Sequence, residues 1–504
     1  MTGDRKKVYL VGAGPGDYGL ITLKGIECLK LADVVIYDRL VNKRYLDFAR
    51  EDAEKIYVGK KSSFHSLPQH QINALLVEKA KEGKTVVRLK GGDPCIFGRG
   101  GEEAEELAKE GITFEFVPGI TSAAAVPAYA GIPITHRDFV SSVHIITGHE
   151  KHEKDVSNVD YSLLAKLQGT LVFLMGLANL GNICTSLIKN GMPEESPVAV
   201  ISQGTTSRQK KIIGNLKDIQ EKVKRAKLIP PAIIVVGKVV KLHDKLDWFL
   251  KKPLSGKKIL VTRTRSQASV LAQKIEELGG EVYTFPTIKI AEPLDHTAID
   301  SSLNKIKSYH WIVFTSVNGV EAFFKRLQHQ KLDIRSLHGV MIAAIGVATS
   351  RALEEKGVIP DFVPDKFQAE TLAAGLKERI SKGQRVLLPT ADIARRVLED
   401  ELRSIGAQVE KIDLYRTIPG EGERDTLLEW LANGEIDIIT FTSSSTVRNF
   451  IKILGRENIP LLKQVKVACI GPVTADTAKK LGLKVEIEAK EFTIDGLVQA
   501  IVEP

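Results

Sequence analysis

The chain has 504 residues, 43% hydrophobic and 26% charged, a length that suits three to four domains with cores of their own. It contains no apolar run near the roughly 20 residues needed to span a bilayer, and Met1 to Leu10 lack the apolar stretch of a secretory signal. The net charge is +9, yet the basic residues are dispersed, with neither zinc-finger spacing nor an aromatic RNA-binding motif. That excludes an obvious nucleic-acid site and leaves an anionic small substrate as the expected partner.

Taken in chain order, Val8-Tyr9-Leu10-Val11 reads as a strand, followed by Gly12-Ala13-Gly14-Pro15-Gly16-Asp17 and a helix over Thr22 to Leu31. Val34 to Tyr37 and Thr85 to Leu89 are further strands, the last broken by Gly91-Gly92-Asp93-Pro94. Such alternation predicts a mainly parallel sheet. The first glycine loop fails as a dinucleotide fingerprint: its sixth place is Asp17, and Pro15 removes a backbone donor. After Val117-Pro118-Gly119 the strands Ser142 to Thr147, Thr170 to Met175, Pro197 to Ser202 and Ala232 to Gly237 lie nearer to turns. They predict a second, mixed α/β lobe. Lys241 to Pro253, lysine-rich and then Pro/Ser/Gly-bearing, reads as a linker with the domain boundary near 250.

The remaining half is written twice. Ile259-Leu260-Val261-Thr262 recurs as Val386-Leu387-Leu388-Pro389, and Phe314-Thr315-Ser316 recurs at the same spacing as Phe441-Thr442-Ser443. Ile345-Gly346 recurs as Ile470-Gly471 after a small deletion. This half is therefore expected to be a duplicated, two-lobed α/β unit. In each copy an apolar strand ends in Thr-Ser before a helix, where hydroxyls cap the helix and its N–H groups suit a carboxylate. The four cysteines, Cys28, Cys95, Cys184 and Cys469, are far apart, so neither disulfides nor a zinc site is expected, and a reducing cytoplasm is. His65, His136 and His149 show no metal-ligand spacing.

In the first half, Tyr37-Asp38-Arg39, Val58-Gly59-Lys60, the block Arg88-Leu89-Lys90-Gly91-Gly92-Asp93-Pro94-Cys95-Ile96-Phe97-Gly98-Arg99-Gly100-Gly101-Glu102-Glu103, Val117-Pro118-Gly119-Ile120-Thr121-Ser122, Thr147-Gly148-His149-Glu150, Met175-Gly176 and Gly204-Thr205-Thr206 follow in order. Together they resemble uroporphyrinogen-III C-methyltransferase of the tetrapyrrole methylase family, over about residues 6 to 245. The resemblance implies a two-lobed fold with lobes over about 1–118 and 119–245 in a domain of 1–250, homodimerisation through this half, and S-adenosylmethionine as cofactor. It assigns Pro15, Gly91, Gly92, Asp93, Ile96, Thr121, Ser122, Met175 and Gly204 to the cofactor site, Asp38 to proton acceptance and Lys60 to proton donation. The chemistry agrees: glycines let a ligand approach the backbone, Ile96 and Met175 offer apolar surface to an adenine, and a pyrrole carbon that gains a methyl must lose a proton to a placed base. No metal is needed. Lys61-Ser62-Ser63 stands where the family often has glycines, so that loop departs from the pattern.

In the second half, Ile259-Leu260-Val261-Thr262-Arg263, Phe314 to Asn318, Leu388-Pro389-Thr390, Leu414-Tyr415-Arg416-Thr417 and Phe441 to Ser444 resemble uroporphyrinogen-III synthase from about 256 to 502. That implies a domain of 251–504, with one lobe over about 256–290 plus 417–504 and the other over about 291–416. It also implies cofactor-free closure of hydroxymethylbilane to uroporphyrinogen III. Tyr415 matches a family tyrosine assisting hydroxyl departure; Thr315, Ser316, Thr442, Ser443 and Arg263 are candidate carboxylate holders. Two such halves in one chain predict a bifunctional tetrapyrrole enzyme yielding precorrin-2 by methylation at C2 and C7. A non-catalytic, tetrapyrrole-binding second half is the alternative.

Overall fold

Short β-branched runs alternating with amphipathic helices build parallel sheets, because each crossover helix covers a face of the sheet it leaves. The computed structural model describes residues 7–59, 67–148, 159–262, 265–365, 369–391, 396–419 and 424–503. It divides into two compact units, Met1–Lys258 with Gln273–Val282, and Ile259–Ala272 with Tyr283–Pro504.

The first unit holds two sheets. Strands β1 (Val8–Gly12), β2 (Val34–Tyr37), β3 (Glu54–Tyr57), β4 (Val86–Lys90) and β5 (Phe114–Val117) form a parallel sheet in the order β3-β2-β4-β1-β5. Thr22 caps the helix Leu23–Leu31 by accepting from the Gly25 N–H at 3.1 Å. The edge strands β3 and β5 escape the sequence reading because charged residues break up their apolar runs, which suits an edge. The second sheet contains β6 (Val143–Thr147), β7 (Thr170–Leu174), β8 (Pro197–Ser202), β9 (Lys210–Asn215) and β10 (Ala232–Val236), ordered β6-β7-β10-β8-β9. Only β6 and β7 pair parallel there, so the second lobe is mixed, as its turn-rich spacing implies.

The segment read as a linker is instead anchored to this unit. The Lys211 ammonium donates to the Ala130 and His243 carbonyls and, at 2.8 Å, to Asp247. Trp248 and Phe249 close on Tyr129 with ring centroids 4.9 and 4.8 Å apart. Aromatic area worth burying outweighs the polarity of the lysines around it.

The duplicated half carries β11 (Lys258–Val261), β12 (Glu281–Thr284), β13 (Ile288–Ala291), β14 (Trp311–Phe314), β15 (Met341–Ala344), β16 (Arg385–Ala391), β17 (Gln408–Pro419), β18 (Ile438–Phe441), β19 (Lys466–Cys469) and β20 (Val485–Glu488). They make two sheets, β12-β11-β18-β19-β20 and β13-β17-β16-β14-β15. The run β12-β11-β18-β19 in one corresponds to β17-β16-β14-β15 in the other, which is the sequence repeat seen as topology. Even the core repeats: Phe314 meets Phe323 edge-on at 5.3 Å, and Phe441 meets Phe450 edge-on at 5.4 Å. No helix among the described residues is long and apolar enough to cross a membrane.

Candidate functional site

Because β1 and β4 are neighbours, their carboxyl ends bring Gly12-Ala13-Gly14 against Lys90-Gly91-Gly92. The Ala13 N–H donates to the Lys90 carbonyl at 2.7 Å, and Gly14 and Gly92 exchange N–H···O bonds at 3.1 and 2.7 Å. Gly119, just past β5, completes the junction. A Cβ on Gly12 would lie 2.5 Å from the Gly119 Cα, and one on Gly119 would lie 2.3 Å from the Gly92 carbonyl oxygen. Only glycine allows backbones this close. Gly92 has φ +73°, and the nearest atom to its absent Cβ is the Ser122 nitrogen at 3.9 Å, so this face is open. Gly91 is small for another reason: a Cβ there would meet the Leu40 Cβ at 2.7 Å. Its size serves the packing of the loop after β2, which leaves its backbone groups to meet a ligand.

Asp93 Oδ1 accepts from the Cys95 and Ile96 N–H groups at 2.8 and 3.1 Å, and Oδ2 from the Gly119 N–H at 2.9 Å. The carboxylate thus ties the glycine-rich loop to the end of β5, while its roughly four lone-pair positions leave room for a ligand donor. Thr121 caps the helix Ser122–Tyr129, accepting from the Ala123 N–H at 3.3 Å. Gly204 is buried against this helix, where a Cβ would come within 2.2 Å of Val126. Beside Pro15, a Cβ on Gly16 would lie 2.8 Å from Thr206, and the Asp17 N–H donates to Thr205 Oγ1 at 3.2 Å. Pro15, Gly91, Gly92, Asp93, Ile96, Thr121, Ser122 and Gly204 therefore share one continuous set of loops. Met175 comes from the end of β7 on the other sheet and is 54% exposed; Ile96 is 39% exposed. Among the described non-glycine residues, Phe97, Arg99, Met175, Gln203 and Thr205 carry positive φ in these loops, with Lys227 and Lys331 the cases elsewhere. Strain gathered at one place is a mark of function.

Beneath these loops lies a charged cluster that the sequence reading did not single out. Arg88 and Lys90 stand two apart on β4, so they share a face, and both are buried. Glu103, on the helix Gly100–Lys109, is 0% exposed; its Oε1 accepts from Arg88 Nε at 3.1 Å, Lys90 Nζ at 2.7 Å and Gln69 Nε2 at 3.1 Å. Its Oε2 is buried and has no hydrogen-bond partner among the described residues. Burial, then the neighbouring Arg88, lowers the Lys90 pKa below the ordinary lysine value, with Glu103 opposing. Arg88 reaches on to Asp38, its Nη2 3.4 Å from Oδ2, while Asp38 Oδ1 accepts from the Leu40 N–H at 3.2 Å. Asp38 thus sits at the end of β2, partly exposed, with one carboxylate oxygen held from below. The available signal was two cations inside an otherwise apolar strand. Lys60 lies outside the described residues.

In the second unit, the Thr-Ser ends of β14 and β18 do cap the following helices. Ser316 Oγ accepts from the Gly319 N–H at 3.0 Å at the start of Val317–His329, and Ser443 Oγ accepts from the Thr446 N–H at 3.3 Å at the start of Ser444–Leu454. Thr315 and Thr442, one residue earlier, are half-buried. Tyr415 on β17 is 6% exposed, and its hydroxyl is 3.0 Å from Ser316 Oγ. Arg263 lies outside the described residues.

Residues 7–220 match the Tetrapyrrole (Corrin/Porphyrin) Methylases, and residues 269–499 match Uroporphyrinogen-III synthase HemD. A porphyrin biosynthesis protein HemD of Ruminiclostridium josui is 42% identical over 98% of this chain and 97% of its own length. A uroporphyrinogen-III C-methyltransferase of Methanocaldococcus jannaschii is 55% identical over 48% of this chain and 99% of its own. Among solved structures, the uroporphyrin-III C-methyl transferase of Thermus thermophilus complexed with S-adenyl homocysteine is 39% identical over 47% of this chain and 99% of its own, with a TM-score of 0.40. The chain belongs to the tetrapyrrole methylases through its first half and to the HemD-type uroporphyrinogen-III synthases through its second.

Proposed function

We propose that this is a bifunctional enzyme of tetrapyrrole biosynthesis. Its second half closes hydroxymethylbilane to uroporphyrinogen III with loss of water, and its first half methylates that product at C2 and C7 with S-adenosylmethionine, giving precorrin-2. The observation that carries the reading is the tandem family match, supported by a relative aligned over 98% of the chain. One family's product is the other's substrate.

The loops after β1, β4 and β5 fit the cofactor. The open face of Gly92 admits a ligand against backbone, Asp93 keeps capacity for a donor, and Ile96 and Met175 expose apolar surface for the adenine. We assign Pro15, Gly91, Gly92, Asp93, Ile96, Thr121, Ser122, Met175 and Gly204 to holding it. When bound, the cofactor supplies an electrophilic methyl group with its own leaving group. Asp38 accepts the proton that the methylated pyrrole must lose, and Lys60 donates one. Arg88 orients the Asp38 carboxylate for that transfer.

In the second half, Tyr415 assists departure of the hydroxyl group, and Thr315, Thr442, Ser443 and Arg263, with the helix N–H groups behind Ser316, hold substrate carboxylates beside helix N-termini. Catalysis there is chiefly the holding of one folded shape of a reactive chain. We further propose a cytoplasmic homodimer joined through the methylase half, which light scattering of the full chain against its 504-residue mass tests directly.

The decisive experiment is mass analysis of an anaerobic incubation with hydroxymethylbilane and S-adenosylmethionine. A porphyrinogen carrying two added methyl groups is the expected product. Methylation only of preformed uroporphyrinogen III would reduce the second half to a binding module, and none of either substrate would end the proposal.

A further inference from the structure

Strand β17 contains an irregularity that periodicity does not reveal. It pairs with β16 in step from Arg385↔Gln408 to Thr390↔Asp413, and the next pair is Ala391↔Tyr415, so Leu414 is an extra residue. Bulges of this kind turn the residues beside them. Leu414 and Tyr415, neighbours in sequence, both enter the same apolar core, 3% and 6% exposed, where strict alternation would send one outward. The turn brings the Tyr415 phenol oxygen to 3.0 Å from Ser316 Oγ. Ser316 Oγ already accepts the Gly319 N–H as the cap of its helix. The serine oxygen keeps its proton and a second lone pair, so either hydroxyl can be the donor in this contact.

We propose that Ser316 is the positioning residue for Tyr415. Its hydroxyl donates to the phenol oxygen and so aims the phenol proton at the hydroxyl group leaving the linear tetrapyrrole. This rests on the ring-closing activity proposed above. In that step the C–O bond breaks with its electron pair on oxygen, and the phenol proton joins that oxygen to release water. The proton shed by the pyrrole as the new C–C bond forms then restores the phenol. A hydroxyl binds a phenolate more strongly than a phenol, so the Ser316 bond tightens as the barrier is crossed, which is where binding accelerates a reaction. The role differs from the carboxylate-holding one that the Thr-Ser motif suggested for Ser316.

The test follows ring closure of hydroxymethylbilane by the full chain carrying Ser316→Gly, Ser316→Thr, Tyr415→Phe or the combined Ser316→Gly/Tyr415→Phe change. Glycine is tolerated at a helix cap but has no hydroxyl. Ser316→Gly should lower kcat about tenfold, the size expected for one lost hydrogen bond of about 1.4 kcal/mol, and Tyr415→Phe about 10²–10⁴-fold, the range for a lost general acid, each with KM little changed. The combined variant should be no slower than Tyr415→Phe, and Ser316→Thr should retain turnover. Melting followed by circular dichroism checks folding, and Ser316→Ala repeats the test should the glycine variant unfold. Full kcat in Ser316→Gly, or losses that multiply in the combined variant, would overturn the positioning role. An inactive wild-type chain would instead overturn the activity on which it rests.

Discussion

The buried polar residues of the two halves differ in kind. Up to Lys258 they include Arg88, Lys90 and Glu103; from Ile259 onward, among the described residues, they are serines and threonines such as Thr262, Thr287, Ser302, Thr390, Thr440 and Thr446. Charge inside a protein is costly unless paired, and a fold that keeps it needs a use for it. Methyl transfer to carbon releases a proton, and the base role proposed for Asp38 gives a carboxylate backed by a buried cation a task there. Ring closure under shape control, with a phenol as its proposed proton donor, asks chiefly for groups that cap helices and hold a chain, and neutral hydroxyls do that without the desolvation penalty of an ion. The contrast ties buried ions to the first half and neutral hydroxyls to the second.

Asp38→Asn should break the contrast most sharply. Methylation of supplied uroporphyrinogen III should fall by about 10²–10⁴-fold, the range for a lost general base, while ring closure of hydroxymethylbilane by the same sample is unchanged. An equal fall in both would show that the charge is not specific to the first half. Glu103→Leu should come next, costing about 3–5 kcal/mol of stability because Arg88 and Lys90 are left buried without their anion. Denaturant unfolding measures it, and a loss under 1 kcal/mol would mean that water reaches the cluster.

Gly92→Ala should cost about 1–2 kcal/mol through its left-handed backbone and weaken S-adenosylhomocysteine binding in calorimetry; tighter binding would refute the open-face reading. Ser443→Ala should cost about 1 kcal/mol as a lost helix cap, with methylation untouched. The smallest effect concerns the cysteines. Burial pushes the Cys28 and Cys184 thiols up to about 11 and Cys469 up to about 12, while Cys95 is exposed, its thiol raised by partial burial and Asp93. One thiol should therefore react with a disulfide reagent in the native chain, faster as pH rises because the thiolate is the nucleophile, and S-adenosylhomocysteine should slow it. Rapid labelling of a second thiol would contradict the buried assignments.

Much of the architecture was legible from local pattern. The helix after Thr22, the strands before each glycine loop and the doubled Phe-Thr-Ser ends all appear where hydrophobic runs and cap residues put them, because each depends on a few neighbouring residues. The edge strands β3 and β5 were not legible, since an edge strand with charged residues lacks a continuous apolar run. Lys241 to Pro253 was misread as a linker for a related reason: its composition is polar, but its place is decided by Trp248 and Phe249 finding Tyr129. At the sites, glycine spacing indicated that backbones meet without indicating which ones. Gly91 and Gly92 are adjacent, yet one makes room for Leu40 and the other faces open space.

What the sequence by itself determined is therefore the pair of families, the duplication and the order of strands and glycine loops, all written in contiguous residues. Tertiary structure alone decided that Arg88, Lys90 and Glu103 share one buried cluster under Asp38, and that a single extra residue at Leu414 turns Tyr415 onto Ser316. Those pairings join residues far apart in the chain, and only the register of neighbouring strands and the packing of helices upon them bring such groups within hydrogen-bonding reach.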